Sequence, residues 1–555
     1  EVQAGLFRFY GSKYRFNYDE FKIDLLQVDS LKLDYQTRYR DGYGRKILQS
    51  VANTFHIIGG DIVIDKPSNK SGLQSNPDYP IFHSTQKSYV YYDDPSIFNG
   101  IYKRDSFYFE IQPFTYVNMD NFEQSDLDFK GILYSRNILA PIEENLVLRP
   151  DNSLGFIKST PPEGLALYRG KGKVFDKIDL SNRGLTVKGQ VGYITSTTRS
   201  DDIFLFPDSM VTSAASFTME KQVAGVEFPN VTGDLHHVKW LPQNDKLFVT
   251  KGEKPFKMYD SLGIFSGDLL LQPLGLTGIG SMSIPNAALS ASLFEFNADD
   301  FTTPVSSLTL YSPANQNVAL TTKDVRSKIS FKSQTGEFSK TNQSLFATLD
   351  ELGYEAYLDR FSWNMVTNNL AMQTLMQQQD VKDGKFRVSN MVEGDSIPKG
   401  SLFYSVKSSE DSLYFFSAKS TYNTATAELN ADSVSYIVVA DATIMPKDKK
   451  IRVNKPNRML PLSEATIKAN NLTAYHRFFD ADVSIISRNS YSGKGHYYYA
   501  DENDSLQTIY FTQIKVDSAR NTVATGTITE PDSFTLSPQF AFVGQVHLSA
   551  PQKLL

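Results

Sequence analysis

Along most of the chain, apolar and polar residues alternate with a period of two, in short runs bounded by Gly, Asn, Asp, Ser and Pro. Gly60 to Asp65, Ser106 to Ile111, Asp202 to Phe206 and Ser435 to Ala440 show the pattern well. Successive side chains of a strand point to opposite faces, so this period predicts half-buried β-strands. A helical period occurs in two places. Ile47, Val51 and Phe55 stand at i, i+4 and i+8 within Gly44 to Phe55, and Asn368 to Val381 is rich in Met and Gln; both are expected to be helical. The 30 Tyr and 38 Phe suit a pleated, half-buried surface. The fold expected is mainly β with little helix: an elongated repeat β-solenoid or β-jellyroll array.

Internal repetition sharpens that expectation. Gly184-Leu185-Thr186 lies on Gly275-Leu276-Thr277 at an offset of 275 − 184 = 91. At the same offset Gly189 meets Gly280, Ser216 to Met219 meets Ser307 to Leu310, and His237 to Trp240 meets Lys328 to Phe331. Phe204-Leu205-Phe206 meets Phe294-Glu295-Phe296 after a slip of one residue. Recurrence at a fixed period is the mark of stacked units that cannot bury their apolar face alone. A shorter rhythm of strand, turn and strand runs from Ser417 through Ala427 to Leu429, Val434 to Ala440, Ala442 to Ile444, Ile451 to Val453, Ala465 to Ala469 and Ala481 to Ile485. Small alanines alternating with branched residues there let neighbouring rungs approach closely. Three regions are expected: a mixed β-rich part over 1–150, the repeat region over 165–365 and a rung-like part over 400–555. Lys66 to Pro80, Pro150 to Gly164 and Lys382 to Gly400 are the candidate breaks.

Phrases such as Val439 to Ile444 and Ala465 to Asn470 resemble the rungs of OstA-like (lipopolysaccharide-transport) and AsmA-like envelope proteins. Ile64 to Gly72, Phe206 to Ser209 and Leu536 to Phe542 are similar in wording to large uncharacterised envelope proteins of Bacteroidota-type bacteria. The first resemblance implies a bent sheet with an apolar groove for acyl chains and no catalytic residues; the second implies no known activity. Together they imply the envelope of a Gram-negative bacterium, in the periplasm or associated with the outer membrane.

Charge and composition remove several classes of function. A net charge of −6, with no basic run interleaved with aromatics, argues against nucleic acid as a partner. The absence of cysteine rules out disulfides, thiolate metal sites and cysteine nucleophiles. No apolar run reaches the ~18–20 residues of a membrane-spanning helix, and Leu269 to Leu271 is typical of the short pieces present. The chain is therefore expected to be soluble, with a place beside a membrane left open. Its start at Glu1 and its end just after Phe540 to Leu548 suggest a processed or truncated portion of something longer.

Motifs for chemistry are scarce. There is no His-Glu-x-x-His, no Gly-x-Ser-x-Gly and no phosphate loop, and Gly170 to Lys173 is expected to be a turn. His236 and His237 should point to opposite faces of a strand and so not share a metal. The acid pairs Asp93-Asp94, Asp201-Asp202 and Asp299-Asp300 sit where strands begin or turn, as capping residues do. Asp501 to Asp504 gathers oxygen ligands without the EF-hand spacing, and is expected to be a hairpin tip. No catalytic, cofactor or metal residue is assigned, and the chain is expected not to be an enzyme. Trp240 and Trp363 are expected in the core.

Aromatic clusters remain as contact candidates: Tyr91 and Tyr92, beside Tyr89 and Phe107 to Phe109, and the run Tyr497, Tyr498 and Tyr499. In that run either Tyr498 alone, or Tyr497 with Tyr499, should face outward. The leading expectation is a non-enzymatic envelope scaffold or assembly component whose long β surface docks partner proteins. The alternatives are a lipid-binding or lipid-conducting β-groove, to which the doubly apolar Ile203 to Phe206 is suited, and a carbohydrate-binding β-solenoid.

Overall fold

The computed structural model describes residues 1–555 except 58, 342–344, 375–399, 456–457, 502, 538 and 554–555. The chain is mainly β. Helix is confined to one turn at Pro67–Lys70 and a few 3₁₀ turns among the described residues. The chain divides into two compact units, Glu1–Met258 with Gly267–Leu276, and Tyr259–Ser266 with Thr277–Leu555. The division falls within the stretch 165–365.

In the first unit Phe7–Asn17 and Lys22–Arg40 form a long antiparallel hairpin. Lys22–Arg40 then changes partners along its length, pairing with Gly60–Val63, with Phe55 and with Lys46–Ser50. From Phe107–Ile111 onward each strand pairs antiparallel with the next: Asp128–Ser135, Ile142–Leu148 and Leu154–Ser159, then Gly172–Ser181, Gly184–Tyr193, Ser196–Leu205, Met210–Met219 and Val231–Leu241. The array of strand-turn-strand units is an antiparallel meander. Alternation supplies its inward row, in which Val174, Ile178, Leu180, Leu185, Val187, Ile203, Leu205, Met210 and Phe217 are fully buried.

Local geometry recurs at the interval seen in the sequence. Strands Gly172–Ser181, Gly184–Tyr193 and Ser196–Leu205 are matched by Gly263–Gln272, Gly275–Ile284 and Ala287–Phe296, since 263 − 172, 275 − 184 and 287 − 196 all equal 91. Each set is preceded by three left-handed residues, Tyr168, Arg169 and Gly170 (φ 48°, 61°, 85°) and Tyr259, Asp260 and Ser261 (φ 53°, 54°, 70°). Both tyrosines are buried and tie down the turn in the same way. Tyr168 rests edge-on against Trp240 at 5.1 Å and donates to the carbonyls of Phe206 and Ser209, whereas Tyr259 lies 4.3 Å from Phe331 and donates to the carbonyl of Asp300. Gly189 and Gly280 share φ values of 152° and 153°, and at Gly189 the ladder register shifts.

In the second unit Val318–Ser330 forks between two ladders. Its first half pairs with Leu345–Leu349, which leads to Tyr354–Leu358, Ser401–Ser405 and Tyr414–Ser417. Its second half pairs with Thr335–Lys340, and the ladder continues through Arg360–Asn364, Asn369–Gln373, Lys419–Asn423, Glu428–Asp432 and Lys450–Asn454. Ile329, Phe338, Phe361, Trp363, Leu370, Tyr422 and Leu429 form its buried row. An antiparallel eight-stranded sheet runs from Ile437–Val439 to Gly544–Ser549. Among the described residues no helix is long and apolar enough to cross a membrane.

Two expectations are corrected. Gly44 to Phe55 is not helical: Lys46–Ser50 and Phe55–Ile57 are strands, and Val51 donates its N–H to Leu33 O at 2.9 Å. Lys46–Ser50 is largely exposed on both faces, so no alternation marks it, and the i, i+4 spacing of Ile47 and Val51 is coincidental. Asn369–Gln373 is likewise a strand, while 375–381 lies outside the described residues.

Candidate functional site

The aromatic clusters divide according to face. Phe107–Ile111 lies between Ser88–Tyr91 and Asp128–Ser135, with Tyr91 opposite Tyr108 and Tyr108 opposite Tyr134. Residues one step along the strand, Val90, Phe107 and Phe109, enter the core. The other face therefore collects Tyr89, Tyr91, Tyr108 and Tyr134, all half-buried, with His56 at its side. Tyr89 and Tyr91 stack at 6.2 Å, Tyr108 meets Tyr89 edge-on at 5.8 Å, and Tyr108 lies 5.2 Å from Tyr134. His56 contacts Tyr91 at 4.9 Å, and the guanidinium of Arg104 covers Tyr91 at 5.0 Å while bonding Asp93 at 2.6 Å. Lys87 pairs with the nearly buried Glu110 at 2.7 Å along the same face.

The platform carries four phenol hydroxyls. Among the described residues none of the four hydroxyls has a hydrogen-bond partner in the protein. Desolvation raises the pKa of Tyr91 and Tyr108, and lowers that of His56, which keeps His56 neutral. Tyr92 does not belong to it: the residue is fully buried and its hydroxyl donates to Leu154 O at 2.9 Å, so it is removed from the contact candidates. Adjacent residues cannot both face outward, and Tyr91 is the outward one.

The C-terminal tyrosines separate by the same rule. Tyr497 is buried among His476, Phe478 and Phe511, and Tyr498 is 52% exposed. Tyr499 packs its ring on Phe534 at 5.4 Å and donates to Leu536 O. Tyr498 stacks on Phe479 at 4.1 Å with ring planes 18° apart. His496, two residues earlier in the strand and so on the same face, bridges Phe479 and Tyr510. A second, smaller aromatic platform thus lies on the eight-stranded sheet.

The remaining polar candidates are taken up by local hydrogen bonds and ion pairs, and Asp201-Asp202 lies inside the strand Ser196–Leu205, not at a strand start or turn. His236 is buried, stacks on Phe256 at 3.9 Å and accepts the Gly252 N–H at Nδ1, while His237 points outward to Ser213. Asp94 caps Ser96, Asp202 bonds Arg183, and Asp300 accepts from Asn297. Asp501 accepts from the backbone of Asn503 and Ser505 at a hairpin tip. Gly170 is the last left-handed residue of its turn, and Lys171 bonds Asp245. No group of three metal-ligating side chains occurs among the described residues.

Comparison with protein-family models and with curated proteins finds no match to this chain. The reading of function therefore stands on this geometry.

Proposed function

We propose that the chain is a non-enzymatic scaffold of the cell envelope that presents the outward faces of its antiparallel sheets to partner proteins. The observation that carries this reading is the platform of Tyr89, Tyr91, Tyr108 and Tyr134, a contiguous patch of half-exposed aromatic rings with unengaged hydroxyls on a rigid sheet. Tyrosine offers large contact area at low entropic cost and a polar tip, which is why it recurs at protein interfaces. Arg104 lies over the ring of Tyr91 and His56 meets it edge-on, so the Tyr91 ring is already engaged while its hydroxyl is open to a partner. That favours a protein surface over a sugar ring, which stacks on an open face. The envelope setting rests on the resemblance of the rung-like phrases.

The lipid-groove alternative receives less support. Ile203 and Leu205 are fully buried inward, while Phe204 and Phe206 pack against Phe98 at 5.3 and 4.9 Å on the other side. The doubly apolar stretch is thus explained by layers of protein on both faces.

The test is site-specific photo-crosslinking in cells that make this chain. A photoreactive phenylalanine at Tyr108 or Tyr134 should give a discrete protein adduct that is absent when the probe replaces Asp19, at the tip of the first hairpin. Adducts that do not differ between these positions, or none at all, would remove the platform as a docking surface.

A further inference from the structure

Four turns that are far apart in sequence converge in the second unit to line a cavity of about 470 Å³. Arg488 and Asn489 come from one, Asp411 from another, Asp441 from a third and Arg520 from the turn after Leu506–Val516. The backbone around Arg488 is fixed on both sides, its N–H donating to Glu410 O and its carbonyl accepting from Ala440. Its half-buried guanidinium lies over the buried ring of Tyr414, 5.5 Å from the centroid.

The charges in this cavity do not neutralise one another. Asp411 accepts from Asn489 Nδ2 at 3.1 Å, and Asp441 Oδ1 accepts both the N–H and the hydroxyl of Thr522, at 3.0 and 2.6 Å. Each carboxylate is thereby held by a neutral neighbour. Neither Arg488 nor Arg520 is ion-paired among the described residues. Asp441 Oδ2 is shielded from water and has no donor among them. An unpaired guanidinium fixed in a half-buried site is costly, and an anionic ligand in the cavity can satisfy it.

We infer that this cavity is a binding site for an acidic sugar, whose phosphate or carboxylate is taken by the guanidiniums of Arg488 and Arg520 and whose hydroxyls donate to the exposed carboxylate of Asp411. Guanidinium forks match the oxygens of phosphate and carboxylate, and the cavity volume lies in the range of small-molecule sites. The site is independent of the tyrosine platform and of the docking role proposed for it.

Isothermal titration of the full chain with glucose 6-phosphate, glucuronate, glucose and inorganic phosphate tests the assignment. The two acidic sugars should bind, with glucose and inorganic phosphate each at least about tenfold weaker. Arg488→Gln and Arg520→Gln should each weaken the acidic sugars by about tenfold or more, the loss expected for a charge-assisted hydrogen bond. Arg520 is an exposed turn residue, so its variant keeps the test decisive if Arg488→Gln does not fold. No heat from either acidic sugar up to about 10 mM, or unchanged affinity in Arg520→Gln, would overturn the site. Inorganic phosphate or glucose binding as tightly as the acidic sugars would overturn the ligand class.

Discussion

The phenol of Tyr168 donates its proton to the carbonyl of Ser209 at 2.7 Å, from within a turn of consecutive left-handed residues. The same hydroxyl reaches Phe206 O, and 91 residues later Tyr259 repeats the bond to Asp300 O at 2.9 Å. Burial pushes both phenols well above their ordinary pKa, so both act only as donors.

Tyr168→Phe takes the phenol donor from Phe206 O and from Ser209 O, the latter still bonded by the Phe206 N–H, and Tyr259→Phe takes one of the two donors of Asp300 O, the other being the Asn297 N–H; both keep the ring packing. Tyr259→Phe should cost about 0.5–1.5 kcal/mol in urea unfolding, the net worth of one hydrogen bond, and Tyr168→Phe more, because Phe206 O loses its donor. Unfolding midpoints equal to that of the parent would show that the turns are held by ring packing alone.

Gly189 and Gly280 occupy a backbone region that side chains rarely adopt, at φ 152° and 153°. A Cβ at Gly189 would also stand 2.5 Å from Phe175 O and from Asp176 Cβ. Gly189→Ala should lose about 2 kcal/mol or more of stability. Gly280→Ala, strained by its φ, should lose at least about 1 kcal/mol. Calorimetry on the two single variants measures both, and a neutral Gly189→Ala would remove the argument.

His236 accepts the Gly252 N–H at Nδ1, so its proton is on Nε2 and the ring is neutral. Desolvation depresses its pKa in the fold below the ordinary value of 6.5, and His56 and His476 are depressed for the same reason. The unfolded chain therefore binds more protons below neutrality. Stability should be fully present above about pH 7 and fall as pH drops through the low sixes and below, with a slope of up to ~1.4 kcal/mol per pH unit for each histidine. His236→Gln should reduce that slope; an identical pH profile in the variant would show that His236 is protonated at no cost in the fold.

Glu410 is nearly buried between Tyr354, whose hydroxyl donates to Oε2 at 2.7 Å, and Lys407, 3.1 Å from Oε1. Lys407 also lies 5.0 Å from the centre of the Tyr354 ring. Lys407→Met should cost about 3 kcal/mol because it leaves a buried carboxylate without its cation. Adding Glu410→Gln should recover part of the loss, so a double-mutant cycle in urea checks the coupling. A loss below about 0.5 kcal/mol would mean that solvent screens the pair.

The sequence made strands legible wherever one face is buried and the other wet. Phe107–Ile111 and the tyrosine run obey that alternation, which dictates that Tyr497 and Tyr498 face opposite ways but not which of them is outside. Lys46–Ser50 has both faces exposed, so nothing in its pattern distinguishes strand from helix. Tyr92 neighbours Tyr91 in sequence, which suggests a cluster, whereas the pleat sends the two rings to opposite sides. Tyr134 joins the platform through register with Tyr108, over a separation that a linear pattern does not encode. The cavity of Arg488 was invisible for a stronger reason: its walls come from turns around 411, 441, 488 and 520, and no local spacing links them.

Trp240 and Trp363 are the only tryptophans in the chain, each is buried, and neither indole N–H has a hydrogen-bond acceptor among the described residues. One belongs to each compact unit. Nature has thus installed one fluorophore per unit: Trp363→Phe leaves an emission signal that comes from the first unit alone, and Trp240→Phe one from the second. Denaturation of these two single-tryptophan variants, compared side by side, would reveal whether the units melt together or in turn, without any added label.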